Sequence, residues 1–238
     1  NSGRVEVKSA YFHERQNYFL ESYTSNGNPV TQMNTLNKSD VFRQLVDLQQ
    51  DLFKSWKLYA KIQWDSENVT STDYDNDYDN DYDNDLGRKK RNILSFYAAV
   101  DGKIYRDLDL RLTLRNDIVD EKSAGFFPTA TLVYRMPFVK GLSFNAGYSH
   151  NYRNPTLNDL YWNPGGNENL KGEDGKTVDF DINYLYENVN FNLDFRTGLY
   201  YSKVNDWIQW VPTNYRYWMP RNVSKVLARG LEAHLKMN

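Results

Sequence analysis

Residues 108–115 read Leu-Asp-Leu-Arg-Leu-Thr-Leu-Arg, so a leucine alternates with a polar residue through the whole stretch. Successive side chains of a β-strand point to opposite faces, whereas a helix would scatter these leucines around its axis. The stretch therefore predicts a strand with one apolar face and one polar face.

The same period of two recurs along the chain. Apolar residues alternate with polar ones in residues 56–64, 178–186 and 191–199. In the first of these windows, Trp56 and Trp64 stand at the two ends of the apolar set. Aromatic rings that are apolar in body and polar at one edge favour the two interfaces of a membrane, so the pattern indicates an aromatic girdle.

Ten strands are predicted from this periodicity, in an all-β antiparallel up-and-down meander. Most of them have about ten residues or more, which is long for a soluble sheet and is the length that crosses a bilayer when tilted. The predicted strands are 4–13, 43–53, 55–65, 92–102, 105–118, 127–136, 141–151, 176–187, 189–210 and 222–237.

The predicted links alternate between long and short. In a meander every second link lies at the same end of the sheet, so all long links gather at one end, as in outer-membrane barrels with long extracellular loops and short periplasmic turns. The long links are 14–42, 66–91, 119–126, 152–175 and 211–221, and the short links are 54–55, 102–104, 137–140 and 188.

Composition excludes several classes of function. The 238 residues contain 29 Lys and Arg against 31 Asp and Glu, so the chain lacks the basic excess that nucleic-acid binding needs. It contains no cysteine, which excludes disulfides, thiolate catalysis and cysteine-ligated zinc. No apolar run is long enough for a membrane-spanning helix.

One stretch carries a family resemblance. Residues 147–173 resemble the late-barrel signature of TonB-dependent outer-membrane receptors, and residues 222–232 look like that family's next descending strand. Two departures are Glu168 and Gly172, which stand where the family usually has proline, so the loop has fewer rigid positions here. The matching residues are Arg153, Pro155, Thr156, Leu157, Asn158, Asp159, Leu160, Tyr161, Trp162, Gly166, Asn167, Leu170, Lys171 and Glu173.

The resemblance implies the following expectations. Residues 1–238 form a single β-barrel segment, the C-terminal part of a 22-stranded barrel, cut from a longer receptor whose plug domain lies outside this chain. The location is the bacterial outer membrane, and the partners are membrane lipid, TonB acting through the absent plug, and a scarce nutrient. Siderophores, haem, cobalamin and glycans are the implied nutrients, and the sequence does not choose among them.

Exposed aromatics with a nearby arginine are the predicted ligand-binding set, because they hold a large amphipathic ligand at low entropic cost. Loop packing or interface anchoring is the alternative for the same side chains. The set comprises Tyr152, Arg153, Tyr161, Trp162, Trp207, Trp210, Tyr215, Arg216 and Trp218.

Residues 73–85 carry an aspartate at every odd position. Carboxylate oxygens at this density suit calcium, with Asp75, Asp77, Asp79 and Asp81 as candidate ligands. The spacing fails the EF-hand template, and a solvated loop held open by charge repulsion is the favoured interpretation, so no other cofactor is predicted. The basic residues 88–91 that follow would neutralise part of this charge or meet anionic lipid headgroups.

No enzymatic activity is predicted. His13, His150 and His234 lie far apart in sequence, and neither a phosphate-binding glycine loop nor a nucleophile elbow is present. Two rival interpretations remain: a complete small outer-membrane barrel, and a soluble all-β binding module. The soluble module requires the Leu108–Leu114 face to pack against a second sheet.

Overall fold

The computed structural model describes residues 2–23, 26–27, 29–53, 55–73, 86–214 and 217–237. Within these ranges the chain forms ten strands and one short helix. The elements are β1 (Gly3–Tyr23), β2 (Pro29–Asp51), β3 (Trp56–Asp73), β4 (Arg88–Tyr105), β5 (Leu108–Val119), β6 (Lys122–Arg135), β7 (Leu142–Arg153), α1 (Leu157–Tyr161), β8 (Glu173–Asn188), β9 (Phe191–Pro212) and β10 (Trp218–Met237).

All ten strands lie in one sheet, in sequence order, and every neighbouring pair is antiparallel. The predicted all-β up-and-down meander is therefore confirmed. The described residues contain no helix that is long and apolar enough to cross a membrane.

Several strands run further than predicted, because pairing continues where the apolar alternation has stopped. The predicted link 14–42 was wrong: β1 and β2 remain paired as far as Tyr23 and Pro29. The links 66–91 and 211–221 likewise shorten to 74–87 and 213–217. Backbone pairing extends these hairpins, and it leaves no mark in the hydrophobic pattern.

The predicted long link 119–126 was also wrong. Val119 pairs with Lys122, so only Asp120 and Glu121 join β5 to β6. Both residues adopt the left-handed backbone conformation, with φ of 44° and 69°, which is the geometry of a tight two-residue hairpin turn. The alternation of long and short links therefore fails here, although the 19 residues between Arg153 and Glu173 still form a long loop.

One face of the sheet is apolar across its whole width. One row of directly paired residues begins with Leu110 on β5 and Leu132 on β6. The row continues on the following strands through Ala146, Phe180, Leu199 and Leu231. Leu112 and Leu114 are 43% and 44% exposed, so within the described residues no second sheet covers this face. The packing that a soluble module requires is not found.

We call this surface the outer face, and we call its apolar positions the apolar belt. In a membrane β-barrel, positions of this kind face the lipid. The belt lies within residues 5–7, 46–48, 58–64, 94–100, 108–114, 126–134, 142–148, 178–186, 191–201 and 231–237.

The opposite, inner face carries the charges. Arg43 forms a two-point pair with the buried carboxylate of Asp65, at 2.7 and 2.8 Å. Lys61 lies 3.8 Å from Asp47, and the hydroxyls of Thr177 and Ser202 are 2.8 Å apart. An apolar outside with a polar inside is the reverse of a soluble domain and is typical of a membrane β-barrel wall.

Candidate functional site

The long loop between β7 and β8 is built around a capped turn of helix. Thr156 is the N-cap of α1: its Oγ1 accepts a hydrogen bond from the Asp159 backbone N–H at 3.0 Å. The Asp159 carboxylate in turn accepts from the Thr156 N–H at 2.9 Å. This reciprocal capping box explains why the segment that matched the family signature forms a helix here.

An ion-pair network with two buried carboxylates joins this loop to the inner face. The Arg153 guanidinium donates to both carboxylate oxygens of Glu173, at 2.7 and 2.6 Å, and lies 3.8 Å from Asp159. Glu173 Oε1 also accepts from the Ile208 backbone N–H at 2.8 Å, and Asp159 Oδ1 accepts from Trp210 Nε1 at 2.9 Å. Two buried carboxylates thus hold β7, β8, β9 and the loop together.

The contact between Glu173 and Arg153, which lie on the loop side of the belt, favours the charged form of both side chains. Hydrogen bonds from Arg153, assisted by the Ile208 N–H, lower the pKa of Glu173 below its ordinary value against the opposing effect of burial. The same contact raises the pKa of Arg153. Both groups are therefore ionised at neutral pH, and each charge is compensated within the network.

The loop also reaches β4, three strands away from β7. Arg91 Nη1 donates to the Pro155 carbonyl at 2.8 Å, while its Nη2 lies 2.7 Å from Glu67. The Lys89 ammonium lies 4.4 Å from the centre of the Tyr161 ring, a cation–π contact. The loop therefore folds over the inner face instead of standing away from the sheet.

A third anchor ties the end of the loop to β10. Asn222 makes a two-way contact with Lys171, accepting from its N–H and donating to its carbonyl, both at 2.9 Å. Asn167 Nδ2 donates to the Pro220 carbonyl at 3.2 Å. We call this loop end of the wall the mouth. The contacts with β4, β9 and β10 hold the loop in place there.

An aromatic cluster supports the start of the loop. Phe127 is buried, and its ring stacks on Tyr152 at 5.1 Å and meets His150 edge-on at 5.3 Å. Arg115 lies 5.7 Å above the Phe127 ring and donates to the Tyr152 carbonyl. Burial raises the pKa of the Tyr152 hydroxyl, helped by the nearby Asp117 carboxylate.

The structure separates the predicted ligand-binding residues into two groups. Tyr152, Arg153 and Trp210 are engaged in the contacts above, Tyr161 lies under Lys89, and the Trp162 N–H closes the last turn of α1 onto Asn158. These residues shape the mouth.

Trp218 and Trp207 are the exposed aromatic members among the described residues, at 57% and 40%. Strand alternation places Trp218 on the inner face with Trp210, whereas Trp207 points to the outer face. Tyr215 and Arg216 lie outside the described residues.

Sequence reasoning missed four residues that shape this mouth: Lys89, Arg91, Arg115 and Phe127. Lys89 and Arg91 belong to the basic run 88–91, and their alternation with Arg88 and Lys90 could have shown that only half of the run faces inward. Phe127 had no distinguishing signal.

The candidate calcium ligands Asp75, Asp77, Asp79 and Asp81 lie outside the described residues. Across the part of the chain that is described, no group of three or more histidine and carboxylate side chains could hold a metal. The histidines lie on separate strands: His13 beside Asp40 on β1–β2, His150 beside Asp174 on β7–β8, and His234 on β10.

An antiparallel sheet in one layer, apolar outside, charged inside and partly closed at one end by a folded loop, defines the wall of a membrane β-barrel. Comparison with known proteins agrees with this class. Residues 2–238 match the family described as TonB-dependent receptor-like, beta-barrel. The chain belongs to this family and lies in the bacterial outer membrane.

Two relatives are vitamin B12 transporters named BtuB. The protein of Photobacterium profundum is 30% identical over 135 residues, which are 54% of this chain and 21% of that protein. The protein of Vibrio vulnificus is 32% identical over 92 residues, 38% of this chain and 14% of that protein. This chain thus spans a small part of the relatives it matches.

Solved structures show the same fold. The hemophore receptor HasR of Serratia marcescens superposes with a TM-score of 0.75 at 14% identity, covering 98% of this chain and 43% of that one. The ferric enterobactin receptor PfeA of Pseudomonas aeruginosa gives a TM-score of 0.70 at 16% identity, covering 96% and 38%. These relatives are receptors and transporters by name, not enzymes.

Proposed function

We propose that this chain forms part of the barrel wall and extracellular mouth of a receptor that binds a scarce nutrient and imports it actively. Family membership over residues 2–238 is the observation that carries the proposal. Energy would come from TonB acting through a plug domain outside this chain. The names of the relatives support cobalamin, haem and ferric siderophores as substrate classes, and glycans are a fourth class implied by the family.

We assign the nutrient contacts to the inner rim, by which we mean the inner face at the loop end of the strands. Trp218 offers an exposed ring on this face, and the loop places Tyr161 and Trp162 on α1 and at its end. Large aromatic surfaces of this kind bind amphipathic ligands with little loss of side-chain entropy. Arg153 would act indirectly, because its guanidinium is already committed to Glu173.

Uptake by whole cells tests the transport proposal. The full-length protein is expressed in cells that lack their own receptors, and accumulation of radiolabelled cobalamin, haem-iron and ferric siderophores is measured. We expect accumulation of one substrate class, abolished in a TonB-deficient strain. Binding without any energy-dependent accumulation, for every class including labelled oligosaccharides, would refute active transport.

The rim assignment is tested with a matched pair of tryptophan variants. Trp218→Ala removes an inner-face ring and should weaken binding of the transported nutrient about tenfold, as expected for an aromatic contact. Trp207→Ala removes a ring of the same size from the outer face and should leave affinity unchanged. Equal losses in both variants would contradict the assignment.

A further inference from the structure

Four basic residues lie together on the outer face of β8, β9 and β10, at the loop end of the apolar belt. They are Lys176, Lys203, Lys225 and Arg229, and all four are exposed. Lys176 pairs directly with Lys203 across the two strands. Arg229 pairs with Tyr201 and Lys225 with Asn205, so the four cations form one patch.

Their orientation follows from residues next to them. Thr177 and Ser202 bond to each other on the inner face, so Lys176 and Lys203, one position away on each strand, point outward. The next outward residues below them are Val178 and Tyr201, both exposed members of the apolar belt. The patch therefore begins where the belt ends.

The charges in this patch are not compensated by the protein. Two like charges directly opposite each other destabilise an antiparallel pair, yet Lys176 faces Lys203. Within the described residues none of the four side chains forms an ion pair. The outward carboxylate beside them, Asp174, lies 2.6 Å from His150 Nε2 and is already engaged.

We propose that this basic patch binds the phosphates of a phosphorylated lipid headgroup in the outer leaflet. An anion between Lys176 and Lys203 would turn their repulsion into attraction, and Lys225 and Arg229 would add further donors. The acyl chains would then lie on the belt residues directly below, such as Val178 and Leu231. That continuity favours a lipid over free phosphate, and it does not depend on which nutrient is transported.

A local crosslinking titration tests the proposal. Leu227 pairs with Lys203 and is exposed, so a photo-crosslinking amino acid at this position samples the patch. The detergent-solubilised full-length protein is titrated with bisphosphorylated lipid A, and the concentration for half-maximal crosslinking is measured. The double variant Lys176→Gln, Lys203→Gln should raise this half-maximal concentration about thirtyfold, because it removes two charges and keeps side chains of similar length.

The control variant changes the same charge on the other face. Lys57→Gln together with Lys61→Gln removes two inner-face lysines and should leave the titration unchanged. The folding of each variant is checked first by gel electrophoresis in detergent without heating, a condition in which the folded protein resists unfolding. An unchanged midpoint in the outward variant, or an equal shift in the control, would overturn the proposal. Full displacement by millimolar inorganic phosphate would overturn the lipid as the occupant.

Discussion

Glu173 links three parts of the mouth through a single carboxylate. It receives two hydrogen bonds from Arg153 and one from the Ile208 N–H, and it is only 6% exposed. A buried carboxylate in this position is stable only while its donors stay in place. The carboxylate therefore ties the two strand ends that flank the loop, on β7 and β8, to each other and to β9.

Removing this carboxylate should loosen the loop. We expect Glu173→Ala to lower the local stability of residues 154–172 by about 2 kcal/mol, because it leaves the Ile208 N–H and part of the Arg153 charge unpaired. Glu173→Gln keeps one acceptor and should cost about half as much. Hydrogen exchange of the loop in the full-length protein measures both. Glu187→Gln, an exposed position on the same strand, serves as the control, and an equal loss there would contradict the account.

The same carboxylate predicts a pH dependence. Because the pKa of Glu173 is lowered in the folded state, its contribution is complete above the ordinary value of 4.5 and is lost as pH falls through the folded pKa. Loop protection should thus be constant from neutral pH down to about 4.5 and decline below it. Glu173→Gln should remove the decline. A transition between pH 6 and 7 would contradict the assignment to Glu173.

Part of this network could be predicted from the sequence. The signature in residues 147–173 identified Arg153, Asp159 and Glu173, but not what they bind. The partner Trp210 lies 51 positions from Asp159, and the contact exists only because β8 and β9 pair in one particular register. Contacts of this kind depend on tertiary structure and leave no local pattern.

At the level of single elements, the β5–β6 turn is the most strained connection of the described strands. Asp120 and Glu121 both adopt positive φ, a region that side chains with a Cβ occupy at a cost. Asp120 offsets part of that cost, because its carboxylate accepts a hydrogen bond from the Asn92 N–H at 2.9 Å. Glu121 forms no comparable contact among the described residues.

Glycine at the second turn position should therefore be favourable. We expect Glu121→Gly to raise the free energy of unfolding by up to about 1 kcal/mol, since glycine adopts positive φ without strain. Urea titration of the full-length protein in micelles measures this change. Asp107→Gly, in the two-residue turn between β4 and β5 but outside the left-handed region, should lower stability instead. Stabilisation by both variants would contradict the conformational explanation.

The elements also show where the hydrophobic pattern stops being informative. All ten strands were predicted, because each has an apolar stretch that alternates with polar residues. The second half of β1 and the first half of β2 were not, since residues 14–23 and 29–40 have no sustained apolar alternation in their sequence, although their backbones are paired. The turn at 120–121 was missed because its residues lack the glycine or asparagine that usually marks such geometry.

The whole molecule is a wall with two different sides. Its outer face is a continuous apolar belt, and its inner face holds ion pairs and a folded loop that spans from β4 to β10. Each side would be unstable in the other's environment, because charges are costly in hydrocarbon and a wide apolar surface is costly in water. The amino-acid alternation along each strand therefore fixes which side meets lipid.

The lipid contact of the outer face is the claim on which the rest depends, and site-directed spin labelling tests it directly. Nitroxides are placed one at a time at positions 110–115 of β5 in the full-length protein in bilayers, and collision with oxygen and with a water-soluble nickel chelate is measured. Oxygen accessibility should peak at positions 110, 112 and 114 and be low at 111, 113 and 115. A profile without this two-residue period, or with its oxygen maxima at the odd positions, would contradict the account.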